Sequence, residues 1–182
     1  IVTKDIEELD LKKPIMSLNI LSNQTIKQTP VLFGESDVLK TIQLLPGVSN
    51  AGEGSGGFNV RGGAADQNLI LFDEAIIYNS SHLFGLFSIF NSDAIKEVKL
   101  YKGGIPASYG GRISSVLDVY QKDGNSKEHK LSGGVGVISS RILGEGPIKK
   151  NKGSYLIASR GSYAHLFLKF TDIENAAYFY DI

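Results

Sequence analysis

The sequence predicts an α/β (α+β) unit with a mixed sheet and short helices, followed by a second, all-β part that begins after about residue 124. Three observations carry this reading. The 21 glycines cluster, and they punctuate a series of short alternating or apolar runs, as tight turns between strands require. Residues 36–45 place Val38, Leu39, Ile42 and Leu45 at helical spacing, the mark of a helix with one buried face. Beyond Gly124 the alternating runs lengthen to roughly ten residues each.

The elements follow in order. Residues 1–13, IVTKDIEELDLKK, are mostly charged, lack a period and read as a linker. Pro14 opens a strand-like run over 15–21. Residues 22–29 are polar with room for a helical turn or two, ended by Pro30, because the residue before a proline is pushed out of the helical region. In the helix 36–45, Ser36 is the expected N-cap and Asp37 suits the positive first turn. Pro46-Gly47 ends it. Residues 52–57 form a loop with little side-chain volume, and 58–61, FNVR, read as a half-buried strand closed by Gly62-Gly63. Residues 69–77 are the most apolar strand candidate. A Phe- and Ser-rich loop over 79–91 leads to one turn of helix at 91–94. In the strand 95–101, Ile95, Glu97, Lys99 and Tyr101 are expected on one face, with Lys96, Val98, Leu100 and Lys102 on the other. Residues 116–120 form another strand.

The late part reads as two long strands, 131–141 and 154–163, joined by a polar turn region containing Gly146-Pro147 and Lys149 to Lys152; a third begins at Tyr178. Their length suits a tilted membrane strand, and periodicity alone fits a soluble hairpin equally well. An open sheet ending on an unpaired strand is an aggregation hazard, so the chain is expected to be part of a longer protein.

Several chemistries lack support. Nineteen basic residues balance nineteen acidic ones, so the counterion-displacing excess of a general nucleic-acid binder is missing. Without cysteine there is no disulfide, thiol nucleophile or thiolate metal site. No apolar run is long enough for a membrane helix, which says nothing against a barrel. Gly52 to Gly57 spells G-x-G-x-x-G, but a helix precedes it and a strand follows, the reverse of a dinucleotide site. His82, His129 and His165 stand apart from one another, and Asp73-Glu74, read as neighbours on a strand, point to opposite faces. No catalytic or metal-binding constellation emerges and no cofactor is expected.

What remains is an ordered series: Leu45-Pro46-Gly47-Val48, Val60-Arg61-Gly62-Gly63, Leu69-Ile70-Leu71-Phe72-Asp73, Ile95-Lys96-Glu97-Val98, Tyr101-Lys102-Gly103-Gly104, Ala107-Ser108-Tyr109-Gly110 and Ser115-Val116-Leu117-Asp118-Val119. Over about residues 15–122 it resembles the plug domain of TonB-dependent receptors. It is most similar to the branch with an upstream carboxypeptidase-regulatory-like domain, through Ser81 to Gly85. Lys102-Gly103-Gly104 stands where the family has R-G-P, Glu74 where it has glycine, and Arg112 to Ser115 where it has small residues.

The resemblance implies a linker at 1–13, a plug at 14–124, and the first strands of a transmembrane barrel of the 22-stranded class at 129–182. The protein would import a nutrient across the outer membrane and break no covalent bond. Arg61 and Lys102 would contact acidic groups on the inner barrel wall, Arg61 the more tightly because its planar fork grips a carboxylate with two bonds. Asn50, Glu53, Tyr78, Asn79 and His82 would face the imported ligand from apex loops. Gly47, Gly62, Gly63, Gly103 and Gly110 would serve turns. A TonB-type energising protein would pair with an N-terminal segment, of which Ile1-Val2-Thr3 could be the remnant. A signalling or adhesion receptor on the same scaffold, a stand-alone soluble plug-like domain and a glycine-loop enzyme are the alternatives.

Overall fold

A computed structural model describes residues 17–30, 34–52, 56–82, 85–163 and 178–182. The expected linker, the start of the strand at Ile15, Glu53 and His165 lie outside the described residues. In chain order the elements are β1 (Leu18–Ser22), α1 (Asn23–Gln28), α2 (Val38–Gln43), β2 (Val48–Asn50), β3 (Phe58–Val60), β4 (Asn68–Phe72), β5 (Ala75–Ile76), β6 (Ser81–His82), β7 (Phe87–Ser88), β8 (Ile95–Tyr101), β9 (Ser115–Gln121), β10 (Lys130–Val135), β11 (Ser139–Lys149), β12 (Gly153–Ser162) and β13 (Tyr180–Asp181).

The first unit is built on a five-stranded sheet in the order β1-β8-β9-β4-β5. It is mixed: β4 and β9 run parallel and the other pairs antiparallel. Alternation gives it two apolar faces. On one, Val98, Leu100, Leu117 and Val119 meet Ile26 of α1 and Val38, Leu39 and Ile42 of α2, with Phe58, Val60 and Phe90. On the other, Leu69, Leu71, Tyr101 and Val116 are met by Leu18, Ile105 and Tyr109. The helices are too short to persist on propensity alone, so burial of these side chains is what holds them.

Capping sets both helix starts. Ser22 accepts from the Thr25 amide at 3.2 Å. For α2 the cap is Asp37, one residue later than expected: its Oδ1 accepts from the Lys40 amide at 3.0 Å. Ser36 is instead buried, its hydroxyl 3.2 Å from that of Ser92. A carboxylate satisfies the positive helix end better than a hydroxyl, which explains the shift.

Other expectations are corrected by turn chemistry. The apolar run 69–77 is a hairpin rather than one strand: Asp73 (φ 45°) and Glu74 (φ 70°) both lie in the left-handed region, the geometry of a tight β-turn. The two carboxylates are therefore turn groups, not opposite faces of a strand, and Asp73 Oδ1 accepts from the Gln121 amide at 2.9 Å. Replacing Glu74 with glycine removes the left-handed penalty of a side chain, so Glu74→Gly is expected to stabilise the unit by about 1 kcal/mol in urea unfolding. Arg61 likewise leaves the strand, with φ 49° followed by Gly62 at φ 81°. In β8 the register slips between Ile95 and Glu97. This bulge, an extra residue on one strand, resets the alternation and places Ile95 in the same core as Val98 and Leu100. The loop read at 52–57 joins the small pair β2–β3, and the loop read at 79–91 contains the small pair β6–β7. Residues 91–94 form a turn closed by the Ala94 amide on Asn91 O at 2.9 Å.

The second unit is a four-stranded antiparallel sheet in the order β10-β11-β12-β13. The run 131–141 spans two of its strands, because the chain reverses at 136–138. Gly146 and Pro147 belong to β11, and the next reversal falls at 150–152. The register places Leu131, Val135, Ile142 and Ile157 on one face, and all four are exposed. Ser139, Arg141, Leu143, Glu145 and Arg160 share the opposite face, which packs on the first unit. Apolar outside and polar inside is the pattern of a membrane barrel wall.

Candidate functional site

The contact between the two sheets is assembled from charges. Arg141 of β11 and Arg160 of β12 are direct cross-strand partners. Two like charges so placed repel, and each is answered by a carboxylate from the first unit. Arg160 Nη1 donates to Glu35 Oε1 at 2.8 Å, with side chains 1% and 2% exposed. Arg141 Nε donates to Asp93 Oδ2 at 2.6 Å. Glu35 also accepts from the Ser139 hydroxyl through Oε2 at 2.5 Å, and Arg160 Nη2 donates to the Ser88 carbonyl at 2.6 Å.

Arg160 holds a second acid from its own sheet. Nε and Nη2 donate to Asp181 Oδ2 at 3.0 and 2.5 Å. The other Asp181 oxygen lies 2.8 Å from His82 Nε2. The His82 ring stacks on Phe179 at 4.5 Å, and the Arg160 guanidinium lies over the same ring at 5.1 Å. A buried arginine is tolerable here because each of its three nitrogens has an acceptor.

Asp93 bridges the units, since Lys27 Nζ reaches its other oxygen at 2.7 Å. Burial pushes the Asp93 carboxyl up, but Lys27 and Arg141 outweigh it and hold it below the ordinary range. A folded-state pKa below the unfolded one means stability that is full above the ordinary carboxylate value and lost as pH falls through the lowered one. The contact is therefore expected to weaken only in acid, below the ordinary carboxylate range. Asp93→Asn should flatten that acid limb in a pH series of unfolding midpoints.

The sequence-expected residues lie as follows. Asn50 is exposed at the end of β2 and accepts from the Gly52 amide at 3.2 Å. Tyr78 and Asn79 are exposed and line a cavity of about 310 Å³ with Asp66, Asn68, Ser81 and Arg112. Glu53 lies outside the described residues. His82 does not stand free in an apex loop, because Asp181 and Phe179 hold it against the second sheet. Arg61 and Lys102 contact their own unit: Arg61 Nη2 donates to Ser17 Oγ at 2.7 Å and Lys102 Nζ to Pro46 O at 2.8 Å. Two inter-sheet ion pairs have the opposite polarity, arginine on the second sheet and carboxylate on the first, whereas Lys122 of the first unit meets Glu145 of β11 at 3.4 Å in the expected sense. Gly47, Gly62 and Gly103 have positive φ. At Gly103 a Cβ would sit 2.9 Å from Arg61 Nη1, so the bare backbone makes room for the guanidinium. Gly63 faces Ser114, where a side chain would collide. Gly110 has open space around it and the left-handed residue is Gly111, one position later than expected.

Sequence reasoning missed Glu35, Asp93, Arg141, Arg160, Phe179 and Asp181. The signal was present for the arginines, since strict alternation puts Arg141 and Arg160 opposite Ile142 and Ile157. Nothing local marks their carboxylate partners.

A helix-backed mixed sheet seated by ion pairs on a strand wall, apolar outside and charged inside, defines a plug-and-barrel protein. Residues 10–116, more than half of the chain, match the TonB-dependent receptor plug domain, and the chain belongs to that family. Solved structures agree in fold. The siderophore receptor PirA from Acinetobacter baumannii superposes with a TM-score of 0.62 at 18% identity, over 84% of this chain and 25% of that one. The ferric enterobactin receptor of Pseudomonas aeruginosa gives 0.61 at 19%, over 86% and 25%. The outer membrane transporter YddB from Escherichia coli gives 0.57 at 14%, over 80% and 26%. The chain thus spans about a quarter of the length of these structures. No curated protein matches its sequence.

Proposed function

We propose that this chain is the gate, with the first wall strands, of an outer-membrane importer driven by a TonB-type protein. The observation that carries the reading is the cross-strand pair Arg141 and Arg160, neutralised from the plug by Asp93 and Glu35. A wall with two adjacent inward arginines calls for a plug with matching acids. A gate must seat in one register and still release. Ion pairs and hydrogen bonds suit this better than an apolar joint, because water can take over each partner as the plug moves. Arg160 keeps Asp181 when Glu35 leaves, so release does not strand a bare cation in the wall.

On this reading the protein carries no covalent chemistry. The plug occupies 14–124 and the wall begins at 129. The N-terminal segment reaches the energising partner by strand addition, from the periplasmic side. The cavity lined by Tyr78 and Asn79 is the plug's surface toward an imported nutrient. Its amide and hydroxyl lining, with one Asp and one Arg, favours a polar ligand of low net charge. Arg61 and Lys102 remain candidates for wall contacts with later strands.

The test is the product of the intact gene. Membrane fractionation and intact mass are expected to show an outer-membrane protein several times larger than this chain, with heat-modifiable migration on gels. A soluble product of this length would overturn the importer and favour a stand-alone plug-like domain.

A further inference from the structure

We propose that the plug-sheet face opposite the helices receives an arginine or lysine side chain from a wall strand outside this chain, anchored by Asp118. The inference rests on the importer reading, which supplies the rest of the wall. Asp118, on β9, is 1% exposed. Its Oδ2 accepts from the hydroxyls of Tyr109 at 2.9 Å and Tyr120 at 2.5 Å. Its Oδ1 is buried and has no hydrogen-bond partner among the described residues. Half of a carboxylate left unanswered away from water is costly.

The residue best placed to answer it is occupied elsewhere. Lys99 is the direct partner of Asp118 across β8 and β9, yet its ammonium sits 3.0 Å from Glu97 Oε1 and 4.6 Å from the centre of the Tyr120 ring. The tyrosines answer only Oδ2. Burial and the bond to Asp118 raise Tyr109, while the bond to Asp118, then burial, pushes Tyr120 up to about 12. Both stay protonated donors beside an acceptor.

Asp118 lines a cavity of about 460 Å³ with Glu74, Tyr109, Tyr120 and the apolar Leu69 and Leu71. Two acids with no base in the lining select a cation. The leucines suit an aliphatic stem, and the tyrosine rings suit a planar guanidinium. The contact already described sets the precedent, since the plug acids Glu35 and Asp93 are each met by a wall arginine.

The experiment is a structure of the full-length receptor, with hydrogen exchange on the same protein and on Asp118→Asn. The expected result is an arginine or lysine nitrogen of a later strand within hydrogen-bond distance of Asp118 Oδ1. Asp118→Asn should then speed exchange of the 116–119 amides by about tenfold or more. Alanine at the newly seen cation should do the same, and the two together should add little. Should Asp118→Asn fail to fold, the alanine variant of the cation carries the test alone. Water, Lys99 or a small solute at Oδ1, or an unchanged exchange rate, overturns the inference and leaves the importer standing. A full-length product without a barrel removes the importer itself.

Discussion

Replacing Arg160 with alanine should unseat the plug from the wall. The side chain is buried and joins Glu35, Asp181 and the Ser88 carbonyl. Its removal leaves the buried Glu35 and the part-buried Asp181 without their shared cation. Breaking a buried pair by deleting one partner costs about 3–5 kcal/mol. In the full-length receptor the expected readout is a lower urea midpoint for plug release, with early loss of exchange protection at 87–90. Glu35→Gln should cost less, because Arg160 retains Asp181. Lysine at 160 should rescue only in part, since a point charge cannot span Glu35 and Asp181 as the planar fork does.

The second large effect is expected at Asp37. One oxygen caps α2 through the Lys40 amide, and the other accepts from the buried Ser88 amide at 2.5 Å. Alanine removes the cap, about 0.5–2 kcal/mol, and strands a buried N–H, about 1–3 kcal/mol. Together Asp37→Ala should lower plug stability by about 2–4 kcal/mol, measured by urea unfolding. Asp37→Asn can keep the cap but offers only one acceptor oxygen, so it should lose the Ser88 share. Because the Ser88 carbonyl also accepts from Arg160, either variant should loosen the wall contact as well. Asp37 thus links the helix start, the β6–β7 hairpin and the wall.

These residues show what the sequence could and could not reveal. Periodicity located β4, β8, β9 and α2, because burial of one face leaves an alternating or helical record. It misplaced residues where turn geometry overrides alternation. Asp73-Glu74 and Arg61 occupy left-handed positions without glycine, so the apolar run through 77 looked continuous and Arg61 looked like a strand residue. The bulge at β8 is likewise invisible to a period of two. The family motifs pointed to Arg61 and Lys102 as wall-facing, whereas both bind plug atoms here. The inter-sheet pairs join positions as far apart in the chain as Glu35 and Arg160. Such pairing arises from the fold and leaves no local trace. The wall was legible in part: the run 154–163 marked β12, a strand long enough for a tilted membrane wall. The split of 131–141 into two strands was hidden by glycines that suit strand and turn alike.

The central claim is that the plug is seated by charge pairing across the wall. The most direct measurement is a double-mutant cycle at Glu35 and Arg160 in the full-length receptor, using Glu35→Gln and Arg160→Met and the urea midpoint of plug release. Pairing predicts that the two costs fail to add, with a coupling of about 1–3 kcal/mol. Costs that add to within about 0.5 kcal/mol would contradict it, and the seating would have to be sought elsewhere on the plug.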